Sequence, residues 1–220
     1  MATGVLRSSK SRSAVWILAL SLGASAQAGS LRVTVVDDHG PVAHVAVYAV
    51  PSKPVTLPAS TPSSIMDQAH NAFVPHILIV QTGTSVLFPN NDVVSHHVYS
   101  FSEPKQFELP LYKGEDAPPV LFDKVGVVKI GCNIHDWMAG IILVLPTPHF
   151  TVTDPEGRFT LRDLPAGTYT LSAWHALSKL KPEDSAQSVQ LSQDAAQVAF
   201  TLSLSAARPR RAMHGARVEP

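Results

Sequence analysis

The chain has a single cysteine, Cys132, in 220 residues. One thiol cannot form a disulfide within the chain, so a disulfide-stapled scaffold is excluded. Nor is there a surplus of positive charge: Lys+Arg and Asp+Glu are equal at 17 each. That balance argues against a nucleic-acid surface, which needs a basic stripe. Beyond the first two dozen residues no apolar run is long and uninterrupted enough to cross a bilayer. Sustained helical periodicity is also missing, which removes helical bundles and coiled coils from consideration.

The N-terminus accounts for the one strongly apolar run. Arg7, Lys10 and Arg12 precede Ala14-Val-Trp-Ile-Leu-Ala-Leu-Ser-Leu-Gly23, and Ala26-Gln27-Ala28 follows with small residues at the positions a signal peptidase reads. A secretory signal over 1–28 is expected, leaving no integral membrane segment after cleavage. Loss of those three cations leaves 14 basic against 17 acidic residues. Four of the remaining arginines, Arg208, Arg210, Arg211 and Arg217, crowd the last fifteen positions. The body between Gly29 and Ser205 is therefore mildly acidic and suits a cationic partner. The tail from Ala206 to Pro220 has no periodic apolar face and is expected to be disordered.

Short apolar-polar alternations punctuated by turn residues fill the rest. Leu31–Val36, Val42–Val50, Phe73–Val80, Ser85–Phe88, His97–Phe101, Val125–Ile130 and Gly140–Leu145 read as strands. Phe150–Thr153, Arg158–Leu161, Thr168–Trp174 and Gln197–Leu204 continue the pattern. Turns of helix are expected at most near Asp116 and Asp194, and Pro51–Ser64 has the composition of a linker. Closely spaced short strands define an all-β sandwich or barrel.

The chemistry-bearing stretch is Gly131-Cys132-Asn133-Ile134-His135-Asp136-Trp137-Met138, between two strand-like runs. An exported chain whose only thiol lies three residues from an imidazole and six from a thioether invites a metal. A blue copper site uses a thiolate, two imidazoles and a weak axial thioether, whereas zinc prefers four firm ligands and rarely takes a thioether. Cys132, His135 and Met138 supply three of that set. Upstream, Asn90-Asn-Asp-Val-Val-Ser-His96-His97 is a polar loop feeding a strand and offers the fourth ligand. His70 and His76 with Asp67 are a weaker second grouping. Trp137, beside a ligand histidine, suits an apolar docking patch.

The Cys-x-x-His-x-x-Met spacing resembles the short ligand loop of amicyanin-like members of the cupredoxin family; plastocyanin-like members have a longer spacing between His and Met. The Asn, five residues, His pattern upstream is similar to the same family, and aligned that way Asn90 leads to His96. This implies a cupredoxin Greek-key β-sandwich with one type 1 copper ion on His96, Cys132, His135 and Met138. Cupredoxins often carry Asn after the first ligand His, tying the ligand loops together. His97 stands there, leaving it either in that supporting role or as the ligand in place of His96. The stretch from Met66-Asp-Gln to Pro148-His-Phe150 also resembles cupredoxin-like methylamine utilisation proteins, which implies a c-type cytochrome or a periplasmic dehydrogenase as redox partner.

A second resemblance lies outside that stretch. Thr153-Asp-Pro-Glu-Gly-Arg-Phe-Thr-Leu-Arg-Asp-Leu-Pro-Ala-Gly-Thr-Tyr-Thr-Leu171, with Val35-Val-Asp-Asp-His-Gly-Pro-Val42, is similar to carboxypeptidase regulatory-like, transthyretin-like sandwiches. The organisation expected is a signal over 1–28, the first part of this sandwich over 29–60, an inserted cupredoxin domain over 61–147, the second part over 148–205 and the basic tail over 206–220. The function expected is periplasmic single-electron transfer, not enzymatic catalysis. A copper carrier or storage protein, or a binding module with a degenerate site, are the alternatives.

Overall fold

The computed structural model describes residues 29–53, 63–114, 117–192 and 195–205. The signal, the basic tail, most of the linker and the turns expected near Asp116 and Asp194 lie outside the described residues. Strands dominate, in the order β1 (Gly29–Asp37), β2 (Gly40–Pro41), β3 (Ala46–Pro51), β4 (Ser63–Ile65), β5 (Asp67–Ala69), β6 (Ala72–Val74), β7 (Ile77–Gln81), β8 (Thr84–Leu87) and β9 (His96–Ser102). There follow β10 (Lys105–Tyr112), β11 (Val120–Phe122), β12 (Gly126–Cys132), β13 (His135–Leu145), β14 (Phe150–Val152), β15 (Arg158–Leu164), β16 (Gly167–Trp174), β17 (Gln187–Leu191) and β18 (Ala196–Thr201). One 3-10 turn, Pro182–Ser185, precedes β17. Among the described residues no helix is long and apolar enough to cross a membrane.

Four of the five sheets stack as layers, and β5 and β6 form a separate two-stranded hairpin. The sheet β15-β1-β18, with β2 on β1, faces the sheet β14-β3-β16-β17 across a core that includes Leu31, Val33, Val47, Leu171 and Phe200. The other face of that second sheet carries Ala46, Tyr48, Phe150 and Trp174. These pack on Ile77, Ile141, Leu143 and Leu145 of the five-stranded sheet β10-β9-β12-β13-β7. The far face of the five-stranded sheet meets β11-β8-β4 across Phe73, Phe88, Val98, Phe122, Val128 and Ile142. Residue alternation explains the layering. Strand β1 lies in an outer sheet and shows one buried face, so buried and accessible positions alternate. Strand β3 and the Ile141–Leu145 end of β13 are covered on both sides and read as nearly continuous apolar runs, whereas β16 alternates until its buried Leu171–Trp174 end.

The strand pairings bear on the early segment. Strand β1 pairs with β15 and β18, and β3 pairs with β14 and β16, so apart from the β1–β2 turn the partners of Gly29–Pro51 lie beyond residue 148. The sequence reading of Phe73–Val80 as one strand is corrected: it divides into β6 and β7 around Pro75, which has no N–H to donate to a ladder.

One backbone position in this half is tightly constrained. Gly157 has φ +68°, and a Cβ there would sit 2.4 Å from the Val35 carbonyl oxygen and 2.9 Å from the Val42 nitrogen. Its own carbonyl accepts the Val35 N–H at 2.7 Å. Left-handed backbone and a rigid clash add, so Gly157→Ala is expected to cost at least about 2 kcal/mol. The denaturant midpoint reads this directly; an unchanged midpoint refutes the close-approach account.

Candidate metal centre

Strands β12 and β13 deliver most of the site. The sequence reading placed Gly131–Met138 in a loop between strands; the structure corrects this, because only Asn133 and Ile134 lie between β12 and β13. Gly131 pairs with Ala139, yet the next residue, Cys132, pairs with His135. Asp136, Trp137 and Met138 therefore form a bulge with no partners on β12. A regular strand would send His135 and Met138 to opposite faces, since their spacing is odd. The bulge resets the alternation and lets both turn toward the same core.

Strand β9 contributes the other imidazole. His96, Val98 and Ser100 point inward, with His96 fully buried at 0% exposure. His97 is also buried, but it faces the other side of β9. Its Nε2 lies 2.8 Å from Glu108 Oε1 on β10, and its ring lies 5.6 Å from Tyr99. Its Nδ1 has no hydrogen-bond partner. Strand alternation thus separates the two neighbouring histidines, and only His96 is brought to Cys132.

The geometry is compact. Cys132 Sγ lies 3.9 Å from His96 Nδ1 and 3.8 Å from His135 Nδ1. Ligand atoms of the three residues fall within 4.8 Å of one another, and no other grouping of three or more such residues does so among the described residues. His70, His76 and Asp67 are not brought together in this way. For metal–nitrogen bonds of about 2.0–2.1 Å and a metal–sulfur bond of about 2.3 Å, a trigonal angle puts N and S about 3.8 Å apart; a tetrahedral angle puts them about 3.6 Å apart. The observed distances fit the trigonal arrangement, so the residues present suit a type 1 copper ion. Met138, buried at 2% exposure, sits in the same core cluster as Cys132.

The surrounding loop is pinned on two sides. Asn90 Nδ2 donates to the Val94 carbonyl at 3.0 Å and to the Tyr112 carbonyl at 2.9 Å, and Asn90 Oδ1 accepts the Asp92 N–H at 3.0 Å. Lys113 Nζ donates to the Val93 carbonyl at 2.9 Å. Asp92 Oδ2 lies 3.1 Å from His96 Nε2. The Asn71 backbone N–H, then the imidazole of His96, hold the Asp92 carboxyl down at about 2. Burial pushes the Tyr112 phenol up to about 12, against a hydrogen bond from Gln68. The hydroxyl therefore stays protonated and donates to the Phe88 carbonyl. A one-residue bulge at Pro110–Leu111, opposite His97, sets Tyr112 beside His96. Sequence reasoning missed both Asp92 and Tyr112. Asp92 stands four residues before His96, inside an Asn-Asn-Asp run that reads first as a turn.

At the mouth of the site His135 is half-buried and its ring lies 5.2 Å from that of Trp137. Trp137 is 58% exposed and Ile134 is 50% exposed. Two exposed apolar side chains therefore flank His135, the most accessible of the three clustered residues, beside the exposed polar Asn133 and Asp136.

No protein-family model and no curated protein matches the chain. Solved structures do. A structure described as a novel purple cupredoxin from Nitrosopumilus maritimus is 25% identical, covering 39% of this chain and 100% of that one, with a TM-score of 0.34. The reduced state of a single-substitution variant of amicyanin is 20% identical over 44% of this chain and 99% of its own, with a TM-score of 0.35. A Cu-containing nitrite reductase from Thermus scotoductus is 28% identical over 44% of this chain, which spans only 25% of that enzyme, with a TM-score of 0.36.

Proposed function

We propose that the chain is an exported type 1 copper protein that passes single electrons between redox proteins. The observation that carries this reading is one buried thiol with two imidazole nitrogens at 3.8 and 3.9 Å, close to a trigonal His₂Cys set. Copper, when bound, supplies a one-electron couple. Everything else falls to the chain. Cys132 would hold the copper as a thiolate, since a coordinating thiol is deprotonated. His96 and His135 would each hold it through Nδ1, and Met138, buried in the same core, would supply a weak thioether donor. Ties through Asn90 and Lys113 pin the loop leading to His96 before any metal arrives, which would limit rearrangement of that donor between oxidation states.

His135, Trp137 and Ile134 form the surface a partner would meet. The partner we favour is a periplasmic c-type cytochrome or dehydrogenase, docked on this surface. No substrate chemistry is needed. Residues 29–60 and 148–205 are proposed to form one transthyretin-like sandwich around an inserted cupredoxin unit, acting as its scaffold. The pairing of β1 with β15 and β18 supports that arrangement.

The test is the visible spectrum of the mature protein after one equivalent of Cu(II). An intense thiolate-to-copper band near ~600 nm is expected of a trigonal His₂Cys site; a colourless protein refutes the reading. Met138→Gln is expected to keep a coloured site with a shifted band and a lowered potential, because a stronger axial donor replaces a weak one.

A further inference from the structure

We propose that Asp92, itself held by the turn amide of the β5–β6 hairpin, is a positioning residue for His96 and through it tunes the metal potential. This inference rests on the copper reading of the site. Asp92 has a largely buried side chain with three donors on its two oxygens. Oδ1 accepts the Val93 N–H at 2.7 Å. Oδ2 accepts the Asn71 N–H at 2.7 Å and faces His96 Nε2 at 3.1 Å.

The turn makes the Asn71 amide available. His70 and Asn71 both have φ 55°, and Ala69 pairs with Ala72, so two left-handed residues close the β5–β6 hairpin. A second tie runs alongside, from Asn91 Nδ2 to both carboxylate oxygens of Asp67 at 3.1 Å. A segment more than sixty residues from Cys132 in sequence therefore reaches the carboxylate behind a ligand.

That carboxylate does two things to His96. It holds the proton on Nε2, which leaves the Nδ1 lone pair directed to the Cys132 side. It also places a negative charge behind the imidazole, making it a stronger donor and favouring the higher oxidation state of a bound metal. The Asn71 N–H shares the same oxygen and moderates that charge. Three variants separate this role from simple loop anchoring. Asp92→Asn keeps an acceptor for the Nε2 proton and removes the charge. Asp92→Ala removes both. Asn91→Ala breaks the Asp67 tie in the same loop without touching the imidazole.

In copper-free protein, ¹⁵N spectra are expected to show a slowly exchanging Nε2 proton on His96 in the wild type and in Asp92→Asn, and its loss in Asp92→Ala. In loaded protein, Asp92→Asn is expected to weaken Cu(II) binding about tenfold relative to Cu(I), at the low end for groups behind a metal ligand. For one electron that is a rise of about 59 mV per tenfold. Asn91→Ala is expected to leave the potential in place. A coloured Asp92→Asn with the wild-type potential, or one that merely matches Asn91→Ala, overturns the proposal while leaving the copper site standing. A colourless wild type overturns the copper reading and this assignment with it.

Discussion

Cys132→Ala is expected to abolish the visible colour of the copper-loaded protein completely. The intensity of a blue site comes from charge transfer between a thiolate and the metal, and Cys132 is the only thiol in the chain. On the proposed reading, His96, His135 and Met138 would remain as donors, but without that transition. The substitution removes one sulfur from a site 3% exposed. The stability cost is about 1 kcal/mol, comparable with one buried methylene, so the β signature in far-ultraviolet circular dichroism should persist. Absorption near ~600 nm and circular dichroism, measured on the same sample, thus separate loss of a ligand from loss of the fold. An undiminished band in the variant would place the metal elsewhere and withdraw the electron-transfer proposal.

The strands that sequence reasoning missed share a position at sheet edges, although the edge strands β7, β14, β15 and β18 were anticipated. Central strands β1, β3, β9, β12, β13 and β16 lie where alternation or continuous apolarity is enforced by neighbours, and each was anticipated. Strands β2, β4, β5, β10, β11 and β17 were not, and none of the six is a central strand. An edge tolerates residues that look like loop: β10 contains Lys105, Glu108 and Pro110, whose missing N–H costs nothing on an unpaired side. The candidate site was legible where its signal is local. Cys132, His135 and Met138 share one short segment, and the choice of His96 over His97 followed from a resemblance. The structure brings His96, Cys132 and His135 together and turns His97 toward Glu108. Two features were not legible. The bulge at Asp136–Met138 depends on the register of β12 against β13, which no spacing rule gives. The Asp92 contact depends on the β5–β6 turn lying against the ligand loop, a tertiary fact.

Trp174→Ala is the most informative change away from the site, and it is expected to destabilise the whole stack by about 3–5 kcal/mol. Trp174 is the largest side chain in the middle apolar layer, where it packs with Ala46, Leu143 and Leu145. Leu143 and Leu145 belong to β13, the strand that begins at His135. Their neighbours Ile142 and Val144 face the core shared with Cys132 and Met138. A hole opened at Trp174 therefore loosens a strand that carries ligands at its other end. Against a typical total stability of about 5–15 kcal/mol, such a loss should bring the unfolding midpoint down steeply. Two signals should fall together as denaturant rises, the copper colour and the far-ultraviolet circular dichroism, because the layers share strands buried on both faces. Trp174→Phe keeps much of the volume and is expected to recover most of the stability. At low denaturant the colour of Trp174→Ala should match the wild type, since no ligand is touched. A colour that outlasts the loss of β structure would show that the copper-side sheets fold without the middle layer. In that event the second pair of sheets is an attachment and not a scaffold.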